Sequence, residues 1–62
     1  MDAAEFKRIR EGLGLSLSEM ARALRLSNVR NVAQFEEGSR DVSGPVSLLM
    51  EHFDAGDISP HT

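Results

Sequence analysis

Apolar residues recur with the period of an α-helix in four successive stretches of the chain. The four apolar stripes are Phe6, Ile9 and Leu13; Leu17, Met20, Ala21 and Leu24; Val29, Val32 and Phe35; and Val46, Leu49, Met50 and Phe53. We expect each stripe to face a common core. No stretch of period two competes, so the pattern predicts an all-α bundle of four short helices. The predicted ranges are about 3–12, 17–24, 28–37 and 45–54.

Residues that start and stop helices support these boundaries. Ser16 and Glu19 have the S-x-x-E spacing of a capping box at the start of the second helix. Pro45 stands where proline is tolerated, at the first turn of the fourth helix. Gly38 and Gly56 follow the third and fourth stripes and are typical helix stops. About four residues join the second and third helices, and so short a connection favours a steep crossing of the helix-turn-helix type.

The chain has 62 residues and no cysteine, which allows one small domain without disulfides. We expect a single domain over residues 1–56 and a short flexible tail over residues 57–62. No apolar run is long enough for a transmembrane segment or a secretory signal, so we expect a cytoplasmic protein.

The net charge of −3 conceals an uneven distribution. All seven Lys and Arg residues lie in residues 6–40, which carry +3, whereas residues 41–62 carry −4. This arrangement is compatible with a polyanion-binding surface and equally with a protein-docking module.

Catalysis and metal binding have little support. The chain contains no H-E-x-x-H, no phosphate-binding glycine loop and no strand-turn-helix bearing a serine nucleophile. His52 and His61 have no ligand partner at useful spacing, and Glu51 and His52 point in different directions on one helix. We therefore expect a protein that is not an enzyme and that has no metal and no cofactor.

An ordered set of residues covering positions 3–53 is similar to a known pattern. It consists of Leu15, Ser16, Met20, Ala21, Leu24, Leu26, Ser27, Val32, Phe35, Glu36, Gly38 and Pro45. The set resembles the phage-repressor/Cro-like (Xre-type) helix-turn-helix DNA-binding family. The resemblance implies a lambda-repressor-like fold, with a small residue at Ala21 where two helices approach closely. It also implies a structural ion pair between Arg10 and Glu36.

The chain departs from the family pattern at three places. Leu17 stands where the family usually has Gln, and Arg25 replaces the usual glycine of the turn. Four residues rather than three separate Ser27 from Val32, which shifts the register of the third helix by about one residue.

The third helix carries polar side chains of the types that read base edges. The candidate base contacts are Asn28, Arg30, Asn31 and Gln34. Arg30 and Gln34 are spaced i, i+4 and share one stripe. The alternative is an ordinary solvated face, which every amphipathic helix has.

Hydroxyl groups and cations near the turn are candidates for phosphate contact. They are Ser16, Ser18, Ser27, Arg40 and Arg25. Hydroxyls at helix starts more often serve only as caps, whereas no local role is evident for Arg40. Glu37 beside the third helix would repel phosphate.

The residues together with the resemblance indicate a sequence-specific regulator of transcription, a repressor or autoregulator of phage or bacterial type. We expect a homodimer on palindromic double-stranded DNA, with Leu48, Phe53 and Ile58 at the dimer surface. The alternative is a protein-interaction module, antitoxin-like or antirepressor, that docks through the acidic C-terminal part. RNA binding is a third reading, which the scarcity of aromatic residues disfavours.

Overall fold

Four helices make up the part of the chain that the computed structural model describes, residues 1–60. They are α1 (Ala3–Gly12), α2 (Leu17–Ala23), α3 (Val29–Glu37) and α4 (Gly44–Ala55). The predicted all-α class is confirmed, and each predicted boundary lies within one residue of the observed one. Within residues 1–60 no strand is present, and no helix there has the length and apolarity needed to cross a membrane.

Side-chain caps start the first three helices. Asp2 Oδ1 accepts the backbone N–H of Glu5 at 2.8 Å. The capping box of α2 is present: Ser16 Oγ accepts the Glu19 N–H at 3.1 Å, and Glu19 Oε1 accepts the Ser16 N–H at 2.8 Å. Each cap satisfies a backbone donor that the helix itself cannot pair.

All four helices end in the same hydrogen-bonded motif. The second or third residue past the end of each helix donates its N–H to a carbonyl five residues back: Leu15 to Arg10, Leu26 to Ala21, Ser39 to Gln34 and Asp57 to His52. This Schellman geometry requires one residue in the left-handed region. In these four motifs the left-handed residues are Gly14, Arg25, Gly38 and Gly56, so three of the helices use glycine and α2 uses an arginine.

The core lies where the four apolar stripes meet. Its buried side chains are Phe6, Ile9, Leu15, Met20, Ala21, Leu24, Val32, Phe35, Val42, Met50 and Phe53. Phe6 of α1 and Phe35 of α3 pack with ring centroids 5.3 Å apart. Phe6, Met20, Val32 and Met50 are fully enclosed. Val42 shows that the loop between α3 and α4 also contributes to the core.

Two predicted core positions are wrong. Leu17 and Val29 keep 37% and 43% of their surfaces exposed. Each is the first residue of its helix. Side chains on a helix lean toward its N-terminus, so the side chain of a first residue extends beyond the end that packs on the neighbouring helices.

A largely buried ion pair joins α1 to α3. The Arg10 guanidinium donates through Nε and Nη2 to the two carboxylate oxygens of Glu36. Its Nη1 donates to the Leu15 carbonyl oxygen at 2.8 Å. The two side chains are only 14% and 12% exposed. The hydrogen bond to Glu36 raises the pKa of Arg10 above its ordinary value, and desolvation opposes this rise only in part.

Candidate nucleic-acid interface

The outward face of α3 is the side opposite its buried residues. Successive residues advance by about 100° around a helix, so Val32 and Phe35 in the core leave the opposite side for Arg30 and Glu37. Both of these residues are exposed. Asn31 and Gln34, on the flanks of this face, are half-buried. The predicted base-contact residues of the helix thus lie at the centre and on the flanks of one surface.

Arg30 is the residue of this surface whose side chain is best placed for base contact. Its guanidinium has no ion pair or side-chain hydrogen bond with any residue of the described range 1–60. A free guanidinium near the start of a helix is suited to bidentate contact with guanine.

Asn28 has a structural role that limits its availability. It lies immediately before α3, and its side-chain oxygen accepts the Arg30 N–H at 2.8 Å. The oxygen is therefore occupied as a cap, and the amide nitrogen remains the free donor of Asn28.

Gln34 is bound by the loop that follows α3. Its side-chain oxygen accepts from Arg40 Nε at 3.1 Å. Its backbone oxygen accepts the N–H groups of Ser39 at 3.1 Å and Arg40 at 3.3 Å. The expectation that Arg40 has no local role is wrong, because the closing turn of α3 brings Arg40 back over Gln34. The guanidinium is exposed, and its terminal nitrogens remain available.

The start of α2 is less suited to phosphate than the sequence suggests. Ser16 is engaged in the capping box, and the partner carboxylate of Glu19 accepts the Ser16 N–H. A negative charge already lies at this helix end and disfavours an approaching phosphate. Ser18 and Ser27 are exposed, and their phosphate contacts stay predictions.

Arg25 lies in the turn between α2 and α3, with φ of +61°. Its N–H donates to the Arg22 carbonyl at 3.1 Å, and the next N–H, of Leu26, donates to Ala21 at 2.9 Å. The side chain is exposed. No ion pair joins Arg25 or Arg40 to another residue within positions 1–60, so both charges are free for phosphate.

Arg8 is excluded from this surface by its own contacts. It pairs with Glu5 on α1 and with Asp54 on α4, the latter at 3.4 Å. The hydrogen bond from Arg8 lowers the pKa of Glu5.

The predicted dimer residues separate into two groups. Leu48 and Ile58 are 58% and 45% exposed, whereas Phe53 is 4% exposed and belongs to the core. Assigning Phe53 to a dimer surface is therefore wrong, because its ring packs inside the bundle. Ile58 and Leu49 line an open groove of about 480 Å³ beside α2.

The histidine of α4 has one acidic neighbour. His52 Nδ1 lies 3.0 Å from Asp57 Oδ2, and His61 lies outside the described residues. Across residues 1–60, no group of three or more His, Cys, Asp or Glu side chains could hold a metal ion.

Sequence reasoning missed one apolar member of the α3 surface, Val29, because its periodicity assigns it to the core. Val29 is exposed and Ala33 is half-buried, and their i, i+4 spacing places them on one stripe beside Arg30 and Gln34. The signal for Val29 was its place directly after the Asn28 cap.

Comparison of the chain with protein-family models, curated proteins and solved structures gave no match.

Proposed function

We propose that this chain is a sequence-specific double-stranded DNA-binding regulator that reads the major groove with α3. The observation that carries the proposal is the unpaired, exposed Arg30 on the stripe that it shares with Gln34. A solvated helix face needs no particular side chain there, whereas guanine and adenine edges are read by Arg and by Asn or Gln.

The connection between α2 and α3 supports a helix-turn-helix reading. Arg25 closes the Schellman turn after α2, and the Asn28 cap starts α3 three residues later. Ala21 is buried, as the resemblance to the phage-repressor/Cro-like family implies. We assign the chain to that lambda-repressor-like class as part of this proposal, with a cytoplasmic repressor or autoregulator of phage or bacterial type as its setting.

Dimerisation on an inverted repeat completes the proposal. One half-site offers a 62-residue domain little contact area, and two-fold related helices one turn of DNA apart increase it. Leu48 and Ile58, both exposed, are the apolar residues that we assign to the dimer surface. The proposed activity needs neither a cofactor nor catalysis.

The acidic surface of the C-terminal part favours a second candidate function, protein docking. Its exposed acidic residues are Asp41, Glu51, Asp54 and Asp57, and residues 41–62 contain no Lys or Arg. In this alternative the chain is an antitoxin-like or antirepressor module, and α3 does not meet DNA.

Selection of random duplex DNA against the purified protein tests both candidates. DNA reading predicts an enriched inverted repeat whose affinity falls steeply with salt and far exceeds that of a scrambled duplex. Arg30→Ala should then cost roughly 1–3 kcal/mol and relax the base preference at one position. Lysine substitutions at Asp54 and Asp57 serve as matched controls and should preserve the selected sequence. An absence of enrichment would favour docking.

A further inference from the structure

Val29 is an apolar side chain at the start of a helix whose other exposed residues, Arg30 and Glu37, are charged. It keeps 43% of its surface accessible although its periodicity assigns it to the core. Its neighbours Asn28 and Arg30 are also exposed. The Asn28 side-chain oxygen accepts the Arg30 N–H at 2.8 Å and so caps the helix. Val29, the first residue of α3, takes no part in this cap, and its side chain is available for contact.

Val29 belongs to an apolar stripe parallel to the polar one. Ala33 follows it at i+4, and the pair lies about 100° from Arg30 and Gln34 around the helix. A base pair presents hydrogen-bonding edges and, when it contains thymine, a 5-methyl group in the major groove. Adjacent polar and apolar stripes match these two kinds of feature.

We propose that Val29, flanked by Ala33, is a specificity-determining residue that contacts a thymine 5-methyl group. This inference rests on the proposed function and adds to it the identity of one base. The contact is purely apolar: the valine methyl groups and the thymine methyl group leave water together, and no hydrogen bond is formed. Uracil offers the same hydrogen-bonding edges without the methyl group, so it isolates the contact.

Deoxyuridine replaces each thymine of the selected duplex in turn, and affinities are measured for the wild type and Val29→Ala. At one thymine of each half-site, replacement by uracil should lower the affinity of the wild type roughly fourfold per half-site, which is the value of one buried methyl group. Val29→Ala should bind the thymine and uracil duplexes with nearly equal affinity there. Leu17→Ala is the matched control, since Leu17 is also an exposed first residue of a helix. This variant should lose as much affinity as the wild type when that thymine is replaced by uracil.

Circular dichroism of the variants establishes that both retain the helical fold. The Val29 contact is overturned if uracil at every position leaves the affinity of the wild type unchanged. It is also overturned if Val29→Ala loses as much affinity as the wild type at every thymine that is replaced. If Arg30→Ala still relaxes a base preference in that case, the proposed reading of DNA by α3 stands without the Val29 contact. If no duplex is enriched at all, the proposed function and this contact fall together.

Discussion

Arg40 Nε donates a hydrogen bond to the side-chain oxygen of Gln34 at 3.1 Å. A loop cation suited to phosphate is thereby joined to an amide on the proposed base-reading face. The bond directs the oxygen of Gln34 toward the loop and leaves its amide nitrogen free to donate. In the proposed interface, this bond would couple phosphate contact by Arg40 to base reading by Gln34.

Arg40→Ala should therefore have two effects on DNA binding. The salt slope should fall by about one, and discrimination at the base read by Gln34 should weaken because the amide loses its fixed orientation. A double-mutant cycle with Gln34→Ala should give a coupling free energy of roughly 0.5–1 kcal/mol. Arg25→Ala is the control, because Arg25 has no contact with a base-reading candidate, and it should change only the salt slope. Additive losses in the cycle would refute the coupling.

The ion pair between α1 and α3 gives a prediction about stability. Glu36→Gln leaves the Arg10 cation largely buried without its counter-charge, and we expect a loss of roughly 2–3 kcal/mol in the free energy of unfolding. For a domain of this size that is a fall in Tm of roughly 10–20 °C. Thermal and urea denaturation at neutral pH measure both quantities.

Glu5→Gln is the matched control for this ion pair. Glu5 pairs with Arg8 on the surface of α1, where both side chains are about half exposed, 44% and 57%. Solvent screens such a pair, so its loss should leave Tm nearly unchanged. Equal effects of the two substitutions would mean that burial adds nothing to the Arg10–Glu36 pair.

The left-handed backbone of Arg25 predicts a stabilising substitution. Arg25→Gly removes the clash of a β-carbon at φ +61° and should stabilise the fold by roughly 0.5–1 kcal/mol after the entropy cost of glycine. Arg22→Gly, inside α2, should destabilise it by up to about 1 kcal/mol. Urea denaturation of both variants gives the signs. A destabilised Arg25→Gly protein would show that the arginine side chain contributes more than the strain costs.

Exposed Leu48 predicts a concentration-dependent dimer. Leu48→Ser should weaken dimerisation at least about tenfold, since a leucine side chain on each copy would no longer be buried. Glu51→Ser, on the same helix, should leave the dimer intact. Analytical ultracentrifugation over a range of concentrations measures the association. A wild-type protein that remains monomeric throughout would remove Leu48 from any self-association surface.

The sequence predicted the helices well because their signals are local. The Ser16–Glu19 capping box, the stop at Gly38 and the spacing of Met20, Ala21 and Leu24 each act within one or two turns. Such signals need no knowledge of the remaining chain.

The errors at Leu17, Val29 and Arg40 concern features that periodicity does not determine. Periodicity gives the direction of a side chain around a helix but not whether a neighbouring helix extends that far along it, which decides Leu17 and Val29. Phe53 belongs to the core, as its apolar stripe predicts, and only its assignment to the dimer surface was wrong. The contact of Arg40 with Gln34 depends on the path of the loop after Gly38. The Arg10–Glu36 pair spans 26 residues, and only the family resemblance suggested it.

Met20 and Met50 have no accessible surface in the folded bundle, whereas Met1 is partly exposed. Peroxide reaches an enclosed thioether only when the molecule opens, and the resulting sulfoxide is a polar group that the core cannot accommodate. Each oxidation in the interior therefore prevents that copy from closing again. The rate at which these two sulfurs are oxidised, relative to that of Met1, therefore measures how often the bundle opens. Under oxidative stress, the frequency of opening would set the lifetime of the protein.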